Sequence, residues 1–180
     1  MLIRVLAPLA VIGLCTASLM QIIRPSVPRL LYNPSPSAPI GWYRMRAQND
    51  IARDDLIAAQ APSSGAALAN ERGYLPPNIP LIKTVWAVSG DEICHKNGQV
   101  FVQNRPPLNV LKHDARGRLL PSWSGCYRLK SNEVFLVSTD VQTSFDSRYF
   151  GPVDRELVLG RVEYLGRLQG YLDRRKAGRG

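Results

Sequence analysis

The sequence predicts a mainly β fold, in which one domain forms a folded-over sheet or barrel behind an N-terminal hydrophobic helix. Short runs of alternating or β-branched residues recur along the chain and are separated by glycine, proline and asparagine turns, a pattern typical of antiparallel barrels. A hydrophobic fraction of 45% is that of a folded protein. A length of 180 residues allows one ordinary domain and a terminal segment.

The N-terminal helix is predicted from Val5–Ile23, which contains no charged residue and lies between Arg4 and Arg24. Its length of about 19 residues is close to the roughly 20 that a helix needs to cross a bilayer. We favour a retained anchor over a removed signal peptide, because the apolar stretch is long for a signal peptide and Ala17-Ser18 is a weak cleavage signal. Residues 1–24 are therefore assigned as a membrane anchor or signal segment.

A proline-rich connector follows at residues 25–40 and carries a candidate nucleophile, Ser37. Proline fixes its own φ angle and lacks an N–H group, so a run of prolines disfavours a helix and keeps the chain extended. The prolines concerned are Pro25, Pro28, Pro34, Pro36 and Pro39. We expect this connector to lead from the membrane into the folded domain.

The first half of the domain contains three predicted strands. Gly41–Arg46 alternates between apolar and polar residues, and Asp55–Ala59 is a second short apolar run. The alanine-rich residues Ser64–Arg72 fit either one short helix or a loop. Leu81–Val88 is predicted as a strand from its β-branched content, and the turn residues Ser89-Gly90-Asp91 end it.

The second half continues the β pattern. Gln99–Gln103 alternates cleanly after Lys96-Asn-Gly98, which is typical of a hairpin turn. Residues 104–125 are rich in proline and glycine and are predicted as a long surface excursion. Val134–Val137 and Val158–Leu165 are predicted as further strands.

The net charge of +9 is compatible with binding to nucleic acid, to an acidic surface or to anionic lipid. The basic residues are scattered, and the dense run is Arg174–Arg179. No nucleic-acid recognition motif accompanies this run, so we expect no nucleic-acid partner. The domain is therefore assigned to residues 41–168 and a solvated or lipid-facing basic tail to residues 169–180.

The chain has three cysteines. Cys15 lies in the apolar N-terminal segment and is expected to be an inert packing residue. Cys94 and Cys126 lie in the domain, where an exported protein would join them in a disulfide; a free buried pair is the alternative. Together with His95 and His113 they lack the spacing of a metal site. No glycine-rich phosphate motif is present, so the sequence predicts neither a metal nor a nucleotide cofactor.

Two residues point to hydrolytic chemistry next to a membrane. Ser37 lies in a turn stiffened by prolines, and Lys83 begins an apolar strand-like run. Apolar surroundings disfavour the charged form of a lysine, so its amine can act as a neutral base near pH 7 and activate a serine hydroxyl. The alternatives are a polar linker for Ser37 and a lysine whose amine reaches into water for Lys83.

A third segment, Ser144–Pro152, combines hydroxyl groups, a carboxylate, a guanidinium and aromatic rings. Asp146 and Arg148 can pair, and Ser144 can hydrogen-bond an amine. A well-tied loop with a local salt bridge is the alternative interpretation.

Together these segments resemble the signal peptidase S26 family, and more specifically its TraF-type conjugative-transfer branch. Ser37-Ala-Pro-Ile-Gly-Trp-Tyr is similar to the branch's nucleophile segment, Ser-x-Pro-x-Gly-x-Tyr. The segment from Ile82 to Asp91 is similar to the family's lysine segment, and the one that begins at Ser144 is similar to its closing Ser-x-Asp-Ser-Arg segment. The resemblance covers roughly residues 30–165, with the three motifs in the family's order.

The resemblance implies a signal-peptidase-like fold and a serine–lysine dyad. Ser37 would attack the scissile carbonyl, and a neutral Lys83 would take the hydroxyl proton and later deliver it to the leaving amine. The Ser37 backbone N–H, which is retained because the proline is at position 36, and the Ser35 hydroxyl would donate to the oxyanion.

Ser144 would orient the Lys83 amine. Asp146 would hold Arg148 and the loop, or act on the amine directly. The cysteines at 94 and 126 look like those of the conjugative branch, which favours the disulfide.

Two features depart from general signal peptidases. Ala38 stands where those enzymes have a methionine, and Pro39 comes one residue earlier than in their Ser-Met-x-Pro-Thr motif. The common Gly-Asp-Asn before the last motif is replaced by Val137–Asp140. Both departures favour a dedicated enzyme with a narrow substrate.

For the branch as a whole, the resemblance implies processing of a pilin precursor in plasmid conjugative transfer. Linear and cyclic products both stay open, because an amine can replace water in the second step. The expected location is the periplasm, at the outer face of the bacterial inner membrane, beside other conjugative transfer proteins. The alternatives are a general type I signal peptidase and a non-catalytic component of a transfer apparatus.

Overall fold

The computed structural model describes residues 29–46, 50–76 and 79–167. The predicted anchor at 1–24 and the predicted tail at 169–180 lie outside these ranges. The strands, in chain order, are β1 (Leu30–Asn33), β2 (Gly41–Arg46), β3 (Leu56–Ala59), β4 (Leu81–Ala87), β5 (Glu92–Lys96), β6 (Gln99–Val102), β7 (Leu108–Asn109), β8 (Gly125–Arg128), β9 (Glu133–Val137), β10 (Val153–Asp154) and β11 (Val158–Gly166). The prediction of a mainly β fold is confirmed.

Seven of these strands form one large sheet in the order β1-β2-β11-β3-β4-β9-β10. Every neighbouring pair in it is antiparallel, and the sheet curls into a half-barrel. The last of the described strands, β11, lies between β2 and β3. In the described part of the chain, the β1–β2 hairpin is therefore hydrogen-bonded to the rest of the large sheet through β11 alone.

The other four strands form a small sheet in the order β7-β6-β5-β8. The predicted hairpin turn joins β5 to β6, where Asn97 and Gly98 have φ angles of 53° and 73°, as a tight two-residue turn requires. On the other side of β5, Cys94 lies directly opposite Cys126 of β8, and a disulfide joins the two. The small sheet is thus held covalently across its β5–β8 ladder.

Three short helical segments complete the described fold. They are α1 (Ser63–Glu71), α2 (Ser147–Phe150) and a 3₁₀ turn at Arg155–Leu157. The alanine-rich segment is therefore a helix, and Gly65 lets it pack against α2, because a Cβ atom at that position would lie 2.9 Å from the Phe150 ring. Within the described ranges, no helix has the length and apolar character needed to cross a membrane.

The core is divided into three clusters, and β4 contributes to all of them. Ile82 belongs to one cluster, Val85 to a second, and Trp86 and Ala87 to the third. This follows from the central position of β4, which has covered surfaces on both faces of the sheet. Six of the seven residues of β4 are buried, and Lys83 is one of them despite its polarity.

Leu30–Asn33 and residues 104–125 contain structure that the sequence analysis did not predict. Leu30–Asn33, inside the predicted connector, pairs with β2 as an edge strand. Residues 104–125, predicted as a surface excursion, contain β7 and a bridge between His113 and Leu119. This segment turns back toward α1, and that contact gives it a place in the candidate site.

Candidate active site

The loop between β1 and β2, residues 34–40, is called the serine loop here, and Asn33 shapes it. The Asn33 side chain is buried, and its Nδ2 donates to the carbonyl oxygens of Ser35 and Ala38 at 2.9 and 3.0 Å. Its Oδ1 accepts a hydrogen bond from the Ser35 N–H at 3.0 Å. The loop is too rich in proline to make the regular backbone hydrogen bonds of a strand. The side-chain amide of Asn33 supplies hydrogen bonds to the loop backbone instead.

Ser37 is half-buried at the tip of this loop. The Ser35 hydroxyl donates to Ser37 Oγ at 3.1 Å and accepts from the Ser37 N–H at 3.3 Å. The structure therefore brings together the predicted nucleophile and both predicted oxyanion donors. In this arrangement both the Ser35 hydroxyl and the Ser37 N–H make their hydrogen bonds within the serine loop.

Gly41 closes the serine loop and sets it against β11. Its φ angle is +148°, and a Cβ atom there would lie 2.6 Å from the carbonyl oxygen of Gly166. Any other residue would push the loop away from the sheet. The buried Tyr43 also holds the loop, since its hydroxyl donates to the Pro39 carbonyl at 2.7 Å.

Lys83 lies in the middle of the large sheet, with only 2% of its surface exposed. Its Nζ donates to Ser144 Oγ at 2.9 Å and to Ser138 Oγ at 3.0 Å. Burial lowers the pKa of Lys83 from 10.5 to about 8, against the opposing charge of Asp146 and with a further lowering by Arg148. A substantial fraction of the amine is therefore neutral in mildly alkaline solution.

Asp146 and Arg148 form the predicted ion pair, and both are fully buried. The guanidinium donates from Nε and Nη2 to the two carboxylate oxygens, at 2.8 Å in each case. Asp146 also accepts from the backbone N–H groups of Ser138 and Arg148 at 3.0 and 3.2 Å, the second as the cap of α2. Among the described residues, Asp146 reaches Lys83 through its charge and through Ser138, and makes no hydrogen bond to the amine.

The serine loop and the buried lysine meet at two concave surfaces. One is an apolar cavity of about 220 Å³, lined by Ser37, Lys83 and Ser144. The other is a cleft of about 380 Å³, lined by Ser37, Lys83 and Ser138. The remaining wall of the apolar cavity is made largely by Ala69, Leu75, Leu81, Leu111, Leu120, Phe145 and Tyr149.

A polar latch fixes the outer wall of this cavity to the end of α1. The Tyr74 hydroxyl donates to Asp114 at 2.5 Å, and Arg118 Nε donates to the same carboxylate oxygen at 2.7 Å. The other Asp114 oxygen accepts from the Arg118 backbone N–H at 2.9 Å. The predicted surface excursion is therefore a tied wall of the site.

Sequence reasoning missed Asn33 and Ser138. Asn33 stands just before the proline-rich run, and an asparagine at that place is a signal that could have found it, because its side chain can bond to the backbone of the following turn. Ser138 had no such signal. Thr84 pairs with Val137 across β4 and β9, so the antiparallel register places Ser138 beside Lys83.

The disulfide lies in the small sheet, away from the serine and the lysine. In the described ranges, the side chains of metal-ligating type that cluster are Glu92, Cys94 and Cys126. Both sulfurs of this group are already joined to each other. The two disulfide-bonded cysteines contribute to the fold of the small sheet.

Comparison with known proteins gives a family match. The model of the family described as "Signal peptidase, peptidase S26" matches residues 2–165. A "Plasmid transfer protein TraF" of Escherichia coli is 33% identical over 137 residues, 71% of this chain and 77% of the relative. A "Conjugal transfer protein TraF" of Agrobacterium tumefaciens (strain 15955) is 36% identical over 132 residues, 67% of this chain and 73% of the relative.

Two more distant matches were also found. "Signal peptidase I V" of Bacillus subtilis (strain 168) is 29% identical over 97 residues, 48% of this chain and 58% of the relative. A crystal structure of a signal peptidase I from Enterococcus faecalis V583 aligns with a TM-score of 0.39 at 16% identity, covering 65% of this chain and 100% of that one. The assignment rests on the family model and on the relatives above 30% identity: the chain belongs to the signal peptidase family, peptidase S26.

Proposed function

We propose that this protein is a serine peptidase in which Ser37 is the nucleophile and Lys83 the general base. The observation that carries the proposal is the environment of Lys83. Its amine is buried, its hydrogen-bond partners are hydroxyl groups, and its pKa is lowered to about 8. A lysine with these properties that lines the same cavity as a loop serine is equipped to accept that serine's proton.

The reaction begins with attack of Ser37 Oγ on the scissile carbonyl carbon, while the hydroxyl proton passes to the neutral Lys83 amine. Collapse of the tetrahedral intermediate breaks the C–N bond, and the Lys83 ammonium gives its proton to the leaving amine. The acyl chain then stays on Ser37 as an ester. Water, or an amine in its place, attacks this ester with Lys83 again as the base, and Ser37 is regenerated.

The oxyanion of the tetrahedral intermediate would accept hydrogen bonds from the Ser35 hydroxyl and the Ser37 N–H, which now bond within the serine loop. The Ser37 N–H and the Ser35 hydroxyl both lie beside Ser37 Oγ, where the carbonyl oxygen must arrive. A rotation of the Ser35 hydroxyl is enough to direct its proton at that oxygen. Ser35→Ala should therefore reduce turnover by about 10²–10³-fold, as for other oxyanion donors.

The Ser144 segment supports the dyad. Ser144 accepts a hydrogen bond from the Lys83 amine and so orients it. Asp146 is a positioning residue in this proposal, because its oxygens hold the Arg148 guanidinium and backbone N–H groups. Its negative charge also limits how far burial can lower the pKa of Lys83.

The proposed substrate is a membrane-held pilin precursor of plasmid conjugative transfer. The names of the two relatives, plasmid transfer and conjugal transfer proteins, support this assignment. The shallow, mostly apolar cavity suits small side chains of an extended peptide. The protein would act at the periplasmic face of the inner membrane, anchored or released, beside other proteins of the transfer apparatus.

The test is cleavage of the pilin precursor encoded on the same plasmid by the full-length protein, read by intact mass. Wild type is expected to cleave, and Ser37→Ala and Lys83→Ala are expected not to. Ser122→Ala, at an exposed serine away from both concave surfaces, is the matched control and should cleave like wild type. A product lighter by a further molecule of water would identify cyclisation.

Two results would overturn parts of the proposal. Equal processing by wild type, Ser37→Ala and Lys83→Ala would remove the catalytic role and leave a component of the transfer apparatus. Cleavage of unrelated exported precursors at a similar rate would replace the dedicated enzyme by a general signal peptidase, which the family description and the Bacillus subtilis match make the second candidate.

A further inference from the structure

Three polar atoms in the buried half of the site form a closed triangle. Lys83 Nζ is 2.9 Å from Ser144 Oγ and 3.0 Å from Ser138 Oγ, and the Ser144 hydroxyl donates to Ser138 Oγ at 3.0 Å. All three side chains are buried. Ser144 belongs to the segment that is similar to the family's closing Ser-x-Asp-Ser-Arg motif, whereas no sequence motif indicated a role for Ser138.

The position of Ser138 is fixed from two sides. The β4–β9 register places it next to Lys83, as the residue after Val137. Its backbone N–H donates to Asp146 Oδ2 at 3.0 Å, and the Arg148 guanidinium holds that carboxylate. The buried ion pair therefore fixes the backbone of the residue that contacts the amine.

The triangle has a chemical consequence for a neutral amine, which has two N–H groups and one lone pair. Hydrogen bonds from Nζ to Ser138 and Ser144 use both N–H groups. The Ser144 hydroxyl is turned toward Ser138, so its proton does not occupy the lone pair. The lone pair is left for the remaining tetrahedral direction, and Lys83 shares both concave surfaces with Ser37.

We propose that Ser138 is a positioning residue of the peptidase reaction: with Ser144 it holds both N–H groups of neutral Lys83 and leaves the lone pair free for the Ser37 proton. Asp146 and Arg148 act on the reaction through Ser138. This inference rests on the proposed function, since it presupposes that Lys83 is the base for Ser37.

Charged and titratable side chains lie near the Lys83 amine on several elements of the fold. Asp146 and Arg148 act on it from the segment around α2, with opposite effects on its pKa. Asp114 and Tyr149 line the apolar cavity, and Asp140 and Arg167 line the cleft. Serine hydroxyls accept a stronger hydrogen bond from an ammonium than from an amine, so loss of Ser138 Oγ should lower the pKa of Lys83 further.

The test measures general-base activation of Ser37 with p-nitrophenyl acetate, a probe that does not require the natural substrate. The rate of Ser37 acetylation, located by peptide mass mapping, is followed from pH 5 to 10 in the full-length protein. Ser138→Ala should reduce the plateau rate by about fivefold to tenfold, the worth of one positioning hydrogen bond. The midpoint of the rise should move to lower pH, and Ser138→Thr, which keeps the hydroxyl, should restore both.

The direction of the pH shift separates positioning from packing. A variant that only loosens the packing around the Lys83 amine would admit water to it, and the midpoint would move up toward the ordinary lysine value. Ser147→Ala is the matched control, because Ser147 is a buried serine of the same segment whose Oγ accepts from the Leu136 N–H and not from Lys83. It should lower the melting temperature and leave the midpoint unchanged.

The outcomes are distinguishable. An unchanged plateau in Ser138→Ala, or a midpoint that stays or moves to higher pH, overturns the role of Ser138. Acetylation that is equally fast in Lys83→Ala overturns the proposed function itself. If Ser138→Ala does not fold, Ser138→Cys keeps the volume with a poorer acceptor and gives the same two measurements.

Discussion

The two halves of the candidate site are built in opposite ways. Ser37 is half-buried in a loop that is held by hydrogen bonds from the neutral side chain of Asn33. Lys83, Asp146 and Arg148 are each at most 2% exposed and are held by a strand ladder and a buried ion pair. The contrast suits the proposed mechanism: a nucleophile must be reachable by a peptide, whereas a lysine base must be kept from water to be neutral near pH 8.

The two halves should also differ in how strongly their side chains affect stability and turnover, and substitutions can measure this difference. Removing one partner of a buried neutral hydrogen bond costs about 1–3 kcal/mol, whereas removing one partner of a buried ion pair leaves a charge without compensation and costs about 3–5 kcal/mol. Substitutions in the buried half should therefore affect the free energy of unfolding more strongly. Substitutions in the serine loop should affect turnover more than stability.

The largest effect is expected for Arg148→Ala. The variant leaves the fully buried Asp146 carboxylate with backbone donors only. The free energy of unfolding should fall by about 3–5 kcal/mol, as for other broken buried pairs. Urea denaturation at pH 7 measures it, and a loss below about 1 kcal/mol would contradict the account of this pair as a buried charge.

Lys83→Met should change how stability depends on pH. The unfolded chain has the ordinary lysine pKa of 10.5 and the folded one about 8, so between these values the unfolded state binds more protons. Wild-type stability should therefore rise with pH across this window, by on the order of 3 kcal/mol, and the burial penalty is fully present below pH 8. Lys83→Met should lose this rise and be the more stable protein at pH 7.

The control for this prediction is Lys112→Met, at an exposed lysine. It should follow the wild-type dependence of unfolding free energy on pH. Parallel curves for wild type and Lys83→Met between pH 7 and 10 would show that the amine is not desolvated in the folded protein.

A smaller loss of stability is expected for Asn33→Ala, at about 1–3 kcal/mol for buried groups left without partners. Turnover should fall by up to about 10²-fold, because Ser37 loses its fixed position. Asn33→Asp keeps the acceptor for Ser35 N–H and loses the Nδ2 donors, so it separates the two sides of the amide. Full turnover in both variants would mean that the loop holds its shape without Asn33.

The smallest effect is expected at the exposed pair of Arg46 and Glu163, whose side chains are 58% and 53% exposed. Arg46→Ala should cost at most about 1 kcal/mol, because water and salt screen the pair. Urea denaturation beside Arg148→Ala makes the comparison direct. Equal losses in the two variants would mean that burial does not determine the cost of breaking an ion pair in this protein.

Much of this architecture is visible in the sequence, because the signals are local. Alternation and β-branched content predicted Gly41–Arg46, the β4 segment and Val134–Val137, and the structure has strands there. The three motifs likewise pointed to Ser37, Lys83 and the Ser144 segment, which the structure gathers around two concave surfaces.

The rest depends on pairings between distant segments. Ser138 lies beside Lys83 only because of the register between two strands that are far apart along the chain, and no local pattern encodes that register. The cavity wall at residues 111–120 depends on the latch between Tyr74 and Asp114, whose residues look like ordinary loop residues in the sequence. Contacts that depend on pairing between distant segments could therefore not be predicted from the sequence.

The place of β11 in the large sheet has a consequence for the timing of activity. The hairpin that carries Ser37 and the strand that carries Lys83 have no common ladder until Val158–Gly166 lies between β2 and β3. Chains leave the ribosome from the N-terminus, so both reactive residues emerge well before the strand that unites them. On the proposed mechanism, an incomplete chain therefore lacks the assembled site of Ser37 and Lys83, which forms only when β11 is inserted.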